Sequence, residues 1–215
     1  MNSDQVVGYL KQNSIRSAVV ADMDQVNQFL KTSKHKSWVY LIRFQGAQDR
    51  FAWGTTSKAG KRIRNSCIFD SKLTGKYDRR VDYLMLKQIH GLKSVHLFEC
   101  RGNEVEVEEG LRQVLQPGTS RGPCMSGFVA KDRDGIAREI LGEFKKISGY
   151  ARMSAQEQAL FLEFCESFWL GKLKHPTKPK RTFYYGDCLE PNFIGRTLSR
   201  ADLEPVIERA LQVKF

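Results

Sequence analysis

The sequence predicts an α+β protein: a small mixed β-sheet flanked by helices, with a helical C-terminal extension. Three observations carry this expectation. Two apolar runs rich in β-branched and aromatic residues, Trp38–Phe44 and Phe51–Thr56, flank the polar, glycine-containing segment 45–50, which reads as a β-hairpin. A third run at 95–100 (Val-His-Leu-Phe-Glu-Cys) has strand character and is a candidate third strand for the same sheet. Elsewhere apolar residues recur at the three- and four-residue spacing of helices packed by one face.

The order of elements follows from local chemistry. Residues 1–36 read as two short helices, one with Val6, Val7 and Leu10 on a face and one with Val26, Phe29 and Leu30. After the hairpin, Gly54 ends the second strand, Thr55, Thr56 or Ser57 offers a capping oxygen, and a basic helix carrying Lys58, Lys61, Arg62 and Arg64 begins. The polar stretch 69–78 reads as an exposed excursion. Val81, Leu84, Met85 and Ile89 then mark a helix that Gly91 stops. A turn at 101–103 leads into the helix Glu104–Leu115, with Gly110 its weak point, and Pro117-Gly118 closes the unit.

Beyond a loop at 119–123, Ile136, Ile140, Phe144 and Ile147 mark one helix. Ser154 and Glu157 form a capping box for the next, which carries Leu160, Phe164, Cys165, Phe168 and Trp169. The stretch 172–180, with Pro176 and Pro179, reads as an extended linker, and a final helix starts near Ser199 or Pro205. The expected organisation is a helical extension over 1–36, a core over 37–118 and a helical C-terminal region over 119–215.

Composition narrows the function. A chain of 215 residues with 41% hydrophobic content can bury a sizeable core. No run approaches a membrane-spanning length and the N-terminus lacks signal-peptide character, so the expected location is the cytoplasm, or the nucleus where the host has one. Five scattered cysteines without a CxxC pair argue against a disulfide framework or a zinc site, and His90, His96 and Cys100 read as ordinary side chains despite their loose metal-like spacing.

The formal net charge of +11 is concentrated. Lys58, Lys61, Arg62, Arg64, Lys72, Lys76, Arg79 and Arg80 face only Asp70 and Asp78 over 58–80, and Lys178, Lys180 and Arg181 run into Tyr184 and Tyr185. Cations that neutralise phosphates release condensed counterions, so the expected partner is nucleic acid, double-stranded DNA first, and not a membrane. Lys58, Lys61, Arg64, Lys72, Lys76, Arg79, Arg80, Lys178, Lys180 and Arg181 are the candidate DNA contacts. A palindromic target would favour a homodimer.

Hairpin, basic helix, excursion, helix, strand and glutamate-bearing helix, in that order over roughly residues 37–118, resemble the GIY-YIG nuclease superfamily. Trp38-Val39-Tyr40 stands where that family has Gly-Ile-Tyr, and Ala52-Trp53-Gly54 where it has Tyr-Ile-Gly. Arg62 stands at the helix arginine, and Glu108 lies nine residues before Pro117, like the metal-binding glutamate before the family's Lys-Pro segment. Three positions depart: Ala52 replaces the second tyrosine, Ser66 a histidine or tyrosine, and Ser120 an asparagine. Restriction-type members share the first departure and carry a basic Thr-Gly-Lys excursion similar to Thr74-Gly75-Lys76, so the chain most resembles that branch.

The resemblance implies a DNA endonuclease dependent on Mg²⁺ (or Mn²⁺), with Tyr40, Arg62 and Glu108 catalytic and Glu108 the metal ligand. The residue types suit phosphodiester hydrolysis, which needs an activated water and stabilised phosphoryl charge. Arg62 donates in a permanently charged fork, a carboxylate holds a hard cation, and a phenol beside a cation can orient or deprotonate water. Each residue also has a plainer role: Tyr40 as a strand aromatic, Arg62 as a backbone contact exchangeable with Arg64, Glu108 as an arginine partner in competition with Glu109. The three departures motivate the alternative of a catalytically inactive DNA-binding or regulatory protein, and RNA stands as a third substrate class.

Overall fold

The computed structural model describes residues 3–45, 51–65, 68–69, 81–115, 142–174 and 198–215. The chain divides into two compact units, Met1–Arg64 with His90–Val129, and Asn65–Ile89 with Ala130–Phe215. The α+β class is observed. Among the described residues no helix is long and apolar enough to cross a membrane.

In the first unit the order is α1 (Ser3–Gln12), β1 (Ser14–Val20), α2 (Met23–Lys31), β2 (Trp38–Phe44), β3 (Phe51–Thr56), α3 (Ala59–Asn65), β4 (Leu92–Cys100) and α5 (Glu104–Leu115), with α4 (Val81–His90) running into β4. The four strands form one sheet in the order β1-β4-β2-β3. The hairpin strands pair Trp38 with Thr56 and Tyr40 with Gly54.

Two expectations for this unit are corrected. Residues 1–36 hold the two helices but also β1 between them, which joins the sheet beside β4. The sheet is antiparallel throughout rather than mixed. The reason is topological: β1 and β2 run in the same direction, and β4 is inserted between them running the other way.

Insertion of β4 buries every residue of β2 and gives the sheet two unlike faces. Val39, Leu41, Trp53, Phe98 and Cys100 on one face pack with Val6 and Leu10 of α1 and Leu111 of α5. Trp38, Tyr40, Gly54, Leu97 and Glu99 share the other face, since antiparallel partners project to the same side. On that side Arg16 stacks on Phe29 of α2, its guanidinium carbon 4.4 Å from the ring centre, and its Nη2 donates to the Phe29 carbonyl.

Glu99, 2% exposed, ties these parts together. Its carboxylate accepts from Arg16 Nε on β1 and from the backbone N–H groups of Lys34 and His35, each at 2.9 Å, in the loop entering β2. Burial works against its charge, but hydrogen bonds from Ser33, Arg16, His35 and Lys34 outweigh it and bring the carboxyl down to about 2.

The second unit holds α4, a 3₁₀ turn at Phe144–Lys146, α6 (Ser148–Ala151), α7 (Ala155–Lys174) and α8 (Arg200–Leu211). The helix expected to run through Ile147 ends before it: the 3₁₀ turn tightens the chain and Ile147 is extended. The capping box is present, with the Ser154 N–H donating to Glu157 Oε2 at 2.9 Å and the Glu157 N–H to Ser154 Oγ at 3.3 Å. Glu157 also pairs with Arg209 of α8. α7 continues to Lys174, so the first residues of the expected linker are helical; 175–180 lie outside the described residues. Its buried Phe161, Phe164 and Phe168 pack in succession with tilted rings, with Phe144 edge-on to Phe161. α8 starts after Ser199 and carries Pro205 internally.

Two consequences are measurable. Glu99→Ala is expected to lower stability at pH 7 by roughly 1–3 kcal/mol, because it strips the acceptor from the donors of Arg16, Lys34 and His35. Because the carboxyl's folded value lies below its unfolded one, that stability is present above about pH 4.5 and is lost as pH falls toward 2. Urea unfolding of Glu99→Gln should therefore show a flatter pH dependence over this window, and a profile parallel to wild type would remove the charge from the account. Gly149 of α6 sits where a Cβ would overlap the carbonyl oxygens of Arg209 and Ala210, whereas Gly142 has open space. Gly149→Ala should cost about 1–3 kcal/mol in thermal or urea unfolding and Gly142→Ala much less; equal effects would contradict the close approach.

Candidate functional site

The hairpin sets the geometry around Tyr40. Its strand neighbours are Gly54 on β3 and Leu97 on β4, and the side chain is 5% exposed. The ring lies flat across Gly54: a methyl group added there would stand 2.5 Å from the Tyr40 hydroxyl oxygen, 2.7 Å from Cζ and 2.9 Å from Cε1. The phenol hydroxyl is thereby carried from the central strand to the edge strand β3.

β3 leads into α3 through Thr56, whose Oγ1 accepts from the Lys58 N–H at 2.9 Å. This bond closes a turn just before α3 and does not reach a helical N–H, so it is not the side-chain cap expected there. Ala59 and Ile63 are buried, and Gly60 approaches α2, with its Cβ position 3.3 Å from Leu30 Cδ1. Arg62 and Arg64 thus occupy a short helix held against α2 on Tyr40's side of the sheet, while Lys58 and Lys61 are exposed there. The side chains of Arg62 and Arg64 lie outside the described part of the structure.

Glu108 lies in α5, next to Val107 and three residues before Leu111, which pack on the face opposite Tyr40. α5 contacts the edge strand β3 from that face. The structure brings Tyr40, Gly54 and the start of α3 together and places the packed side of α5 across the sheet; the Glu108 side chain lies outside the described part. Of the nearby carboxylates, Glu106 is committed to the helix start, accepting from the Asn103 N–H at 3.2 Å. Mg²⁺ keeps several waters and is held by one or two carboxylates, so a single glutamate on α5 suits it chemically. Among the described residues no group of three or more His, Cys, Asp or Glu is gathered to hold a metal ion.

Lys72, Lys76, Arg79, Arg80, Lys178, Lys180 and Arg181 lie outside the described residues, as do Ser66 and Ser120. His96 and Cys100 lie on one face of β4, where the strand rise separates them by about 13 Å, too far to share one ion directly. Burial first, then Arg43 and Lys11, hold His96 at about 4 against the opposing pull of Asp4, and Ser94 Oγ lies 2.9 Å from its Nε2. Burial pushes the Cys100 thiol up to about 11; the nearby Glu99 charge adds to this and a backbone hydrogen bond from Val39 opposes it. Such a thiol is a weak nucleophile.

Two features escaped the sequence reading. Gly54, expected to end its strand, is instead paired inside β3, which runs on to Thr56, and it is the seat of a ring. A cavity of about 190 Å³ lined by Tyr9, Asn13, Cys100, Arg101, Val107 and Gly110 opens on the α1 and α5 side, away from Tyr40; no residue pattern announced it. Compared with protein-family models, curated proteins and solved structures, the chain matches none.

Gly54→Ala is expected to destabilise the protein by about 1–3 kcal/mol by displacing Tyr40. A double-mutant cycle with Tyr40→Ala tests the cause. Most of the Gly54→Ala penalty should vanish once the ring is absent, and additive penalties would show that the two residues do not act on each other.

Proposed function

We propose that the chain is a divalent-metal-dependent DNA endonuclease of GIY-YIG-like design, nearest in its motifs to restriction-type members and acting on double-stranded DNA in the cytoplasm. The observation that supports this most is the Tyr40 phenol laid over Gly54, on the strand that runs directly into the basic helix α3. A hydroxyl at that edge, on the way into a helix whose sequence carries Arg62 and Arg64, suits the handling of an attacking water beside a phosphate.

In this reading Tyr40 orients or deprotonates the water through its hydroxyl oxygen. Arg62 donates to the phosphoryl oxygens as charge builds on them. Glu108 would hold the metal, which when bound would supply Lewis-acid stabilisation of the developing phosphoryl charge. Lys58 and Lys61 hold the DNA backbone beside the site without reading sequence. A symmetric homodimer would match a palindromic target.

A second reading has its own support. Tyr40 is nearly buried and the packed side of α5 lies on the other face of the sheet, which favours a protein that binds DNA without cutting it.

Plasmid cleavage with and without Mg²⁺ separates the two. Discrete fragments are expected from the wild type, with Glu108→Ala and Tyr40→Phe each reducing the rate by about a hundredfold or more and leaving DNA affinity nearly unchanged. Undiminished cleavage by Glu108→Ala would remove its metal role. Intact plasmid despite salt-sensitive binding would establish the second reading.

A further inference from the structure

The sequence between Gln25 and Phe69 contains a single acid, Asp49, and is otherwise basic. Part of this charge lies upstream of the helix that drew attention in the sequence. Lys31 ends α2, and Lys34 and Lys36 lie in the loop that follows; all three are exposed, as are Lys58 and Lys61. No ion pair with another described residue engages any of the five.

The fold gathers them. Trp38 pairs with Thr56, so Lys36 and Lys58, each two residues outside that pair, lie at the same end of the hairpin. The approach of Gly60 to Leu30 sets the first turn of α3, with Lys61, against the end of α2, with Lys31. Lys34 is fixed through its backbone N–H on Glu99, whose charge is paired with Arg16. One end of the hairpin and two abutting helices thus carry five exposed lysines in one region of the first unit.

We infer that Lys31, Lys34, Lys36, Lys58 and Lys61 form a track that seats the phosphodiester backbone of duplex DNA, extending the proposed site across the α2–β2 loop. The inference rests on the endonuclease reading for the identity of the polyanion. Ammonium groups on exposed stems act as point charges, so the track positions DNA without selecting its sequence. An anionic membrane is the poorer fit, because peripheral binding adds apolar insertion to charge. The large hydrophobics exposed among the described residues are Ile15 and Val19, both on β1.

The test compares the full chain with Lys31→Gln/Lys34→Gln/Lys36→Gln and with a charge-matched control, Lys93→Gln/Lys145→Gln/Lys214→Gln, drawn from exposed lysines elsewhere. Binding to two duplexes of unrelated sequence is measured across a salt series, with thermal melting to check folding. The track variant should bind both duplexes on the order of tenfold or more weaker at 0.15 M salt. Its log affinity against log salt slope should fall by up to about 2.7, or 0.9 per lysine. The control should stay near wild type.

Equal losses in both variants, or none in the track variant while the wild type binds DNA, would overturn the track and leave the endonuclease reading standing. A wild type that binds no duplex but binds phosphatidylserine vesicles would overturn both.

Discussion

A buried carboxylate with four tethers sets the frame of the first unit. Glu99 lies near the end of β4, and an ionised acid there without partners would be costly by several kcal/mol, so its surroundings must supply donors. They come from two separate stretches: Arg16 on β1, and the loop 33–35 with the Ser33 side chain and the backbone of Lys34 and His35. Arg16 in turn reaches the end of α2 through the Phe29 carbonyl and Thr32 Oγ1. Satisfying one acid therefore fixes where α2 stops, how the loop crosses to β2 and where β1 sits against β4.

The register of β2 depends on that entry, and the function proposed depends on the register. A slip of one residue would exchange the two faces, sending Tyr40 into the core with α1 and α5 and Val39 toward α2. Trp38 adds a second restraint, its indole N–H donating to Ser33 Oγ at 3.0 Å in the same loop. The hairpin is then locked from the far side by Gly54, the one position on β3 opposite Tyr40 where absence of a side chain lets the ring lie flat.

Much of this frame was legible. Runs of β-branched and aromatic residues gave the hairpin and β4, and Ser154 with Glu157 gave the start of α7 at the right residue. β1 was not legible because its pattern is inverted: Ile15 and Val19 face solvent while Arg16 turns inward to Glu99. Hydrophobic alternation finds a strand by its apolar face, and here an arginine paired with a buried acid takes part of that face. The same cause hid Glu99, since a lone acid in an apolar strand signals a partner without naming it. The break before α6 depends on Gly149 fitting under the carbonyls of α8, a contact distant in sequence.

The candidate site was read as three residues in a line of motifs, and space sorts them differently. Tyr40 and the start of α3 belong to the face with α2, whereas α5 packs on the other and adjoins β3 there. The edge strand is thus the part of the sheet common to both, and a hydroxyl lying over Gly54 is already displaced toward it. If hydrolysis occurs, the phosphate must sit at this edge, where groups from both faces can approach it without crossing the core. The lysines of the α2–β2 loop and α3 lie at the end of the sheet where that edge strand finishes. Under the proposed reading, a backbone held by them would run past the edge rather than over the sheet, which is also where a phosphate would have to lie to meet the phenol over Gly54.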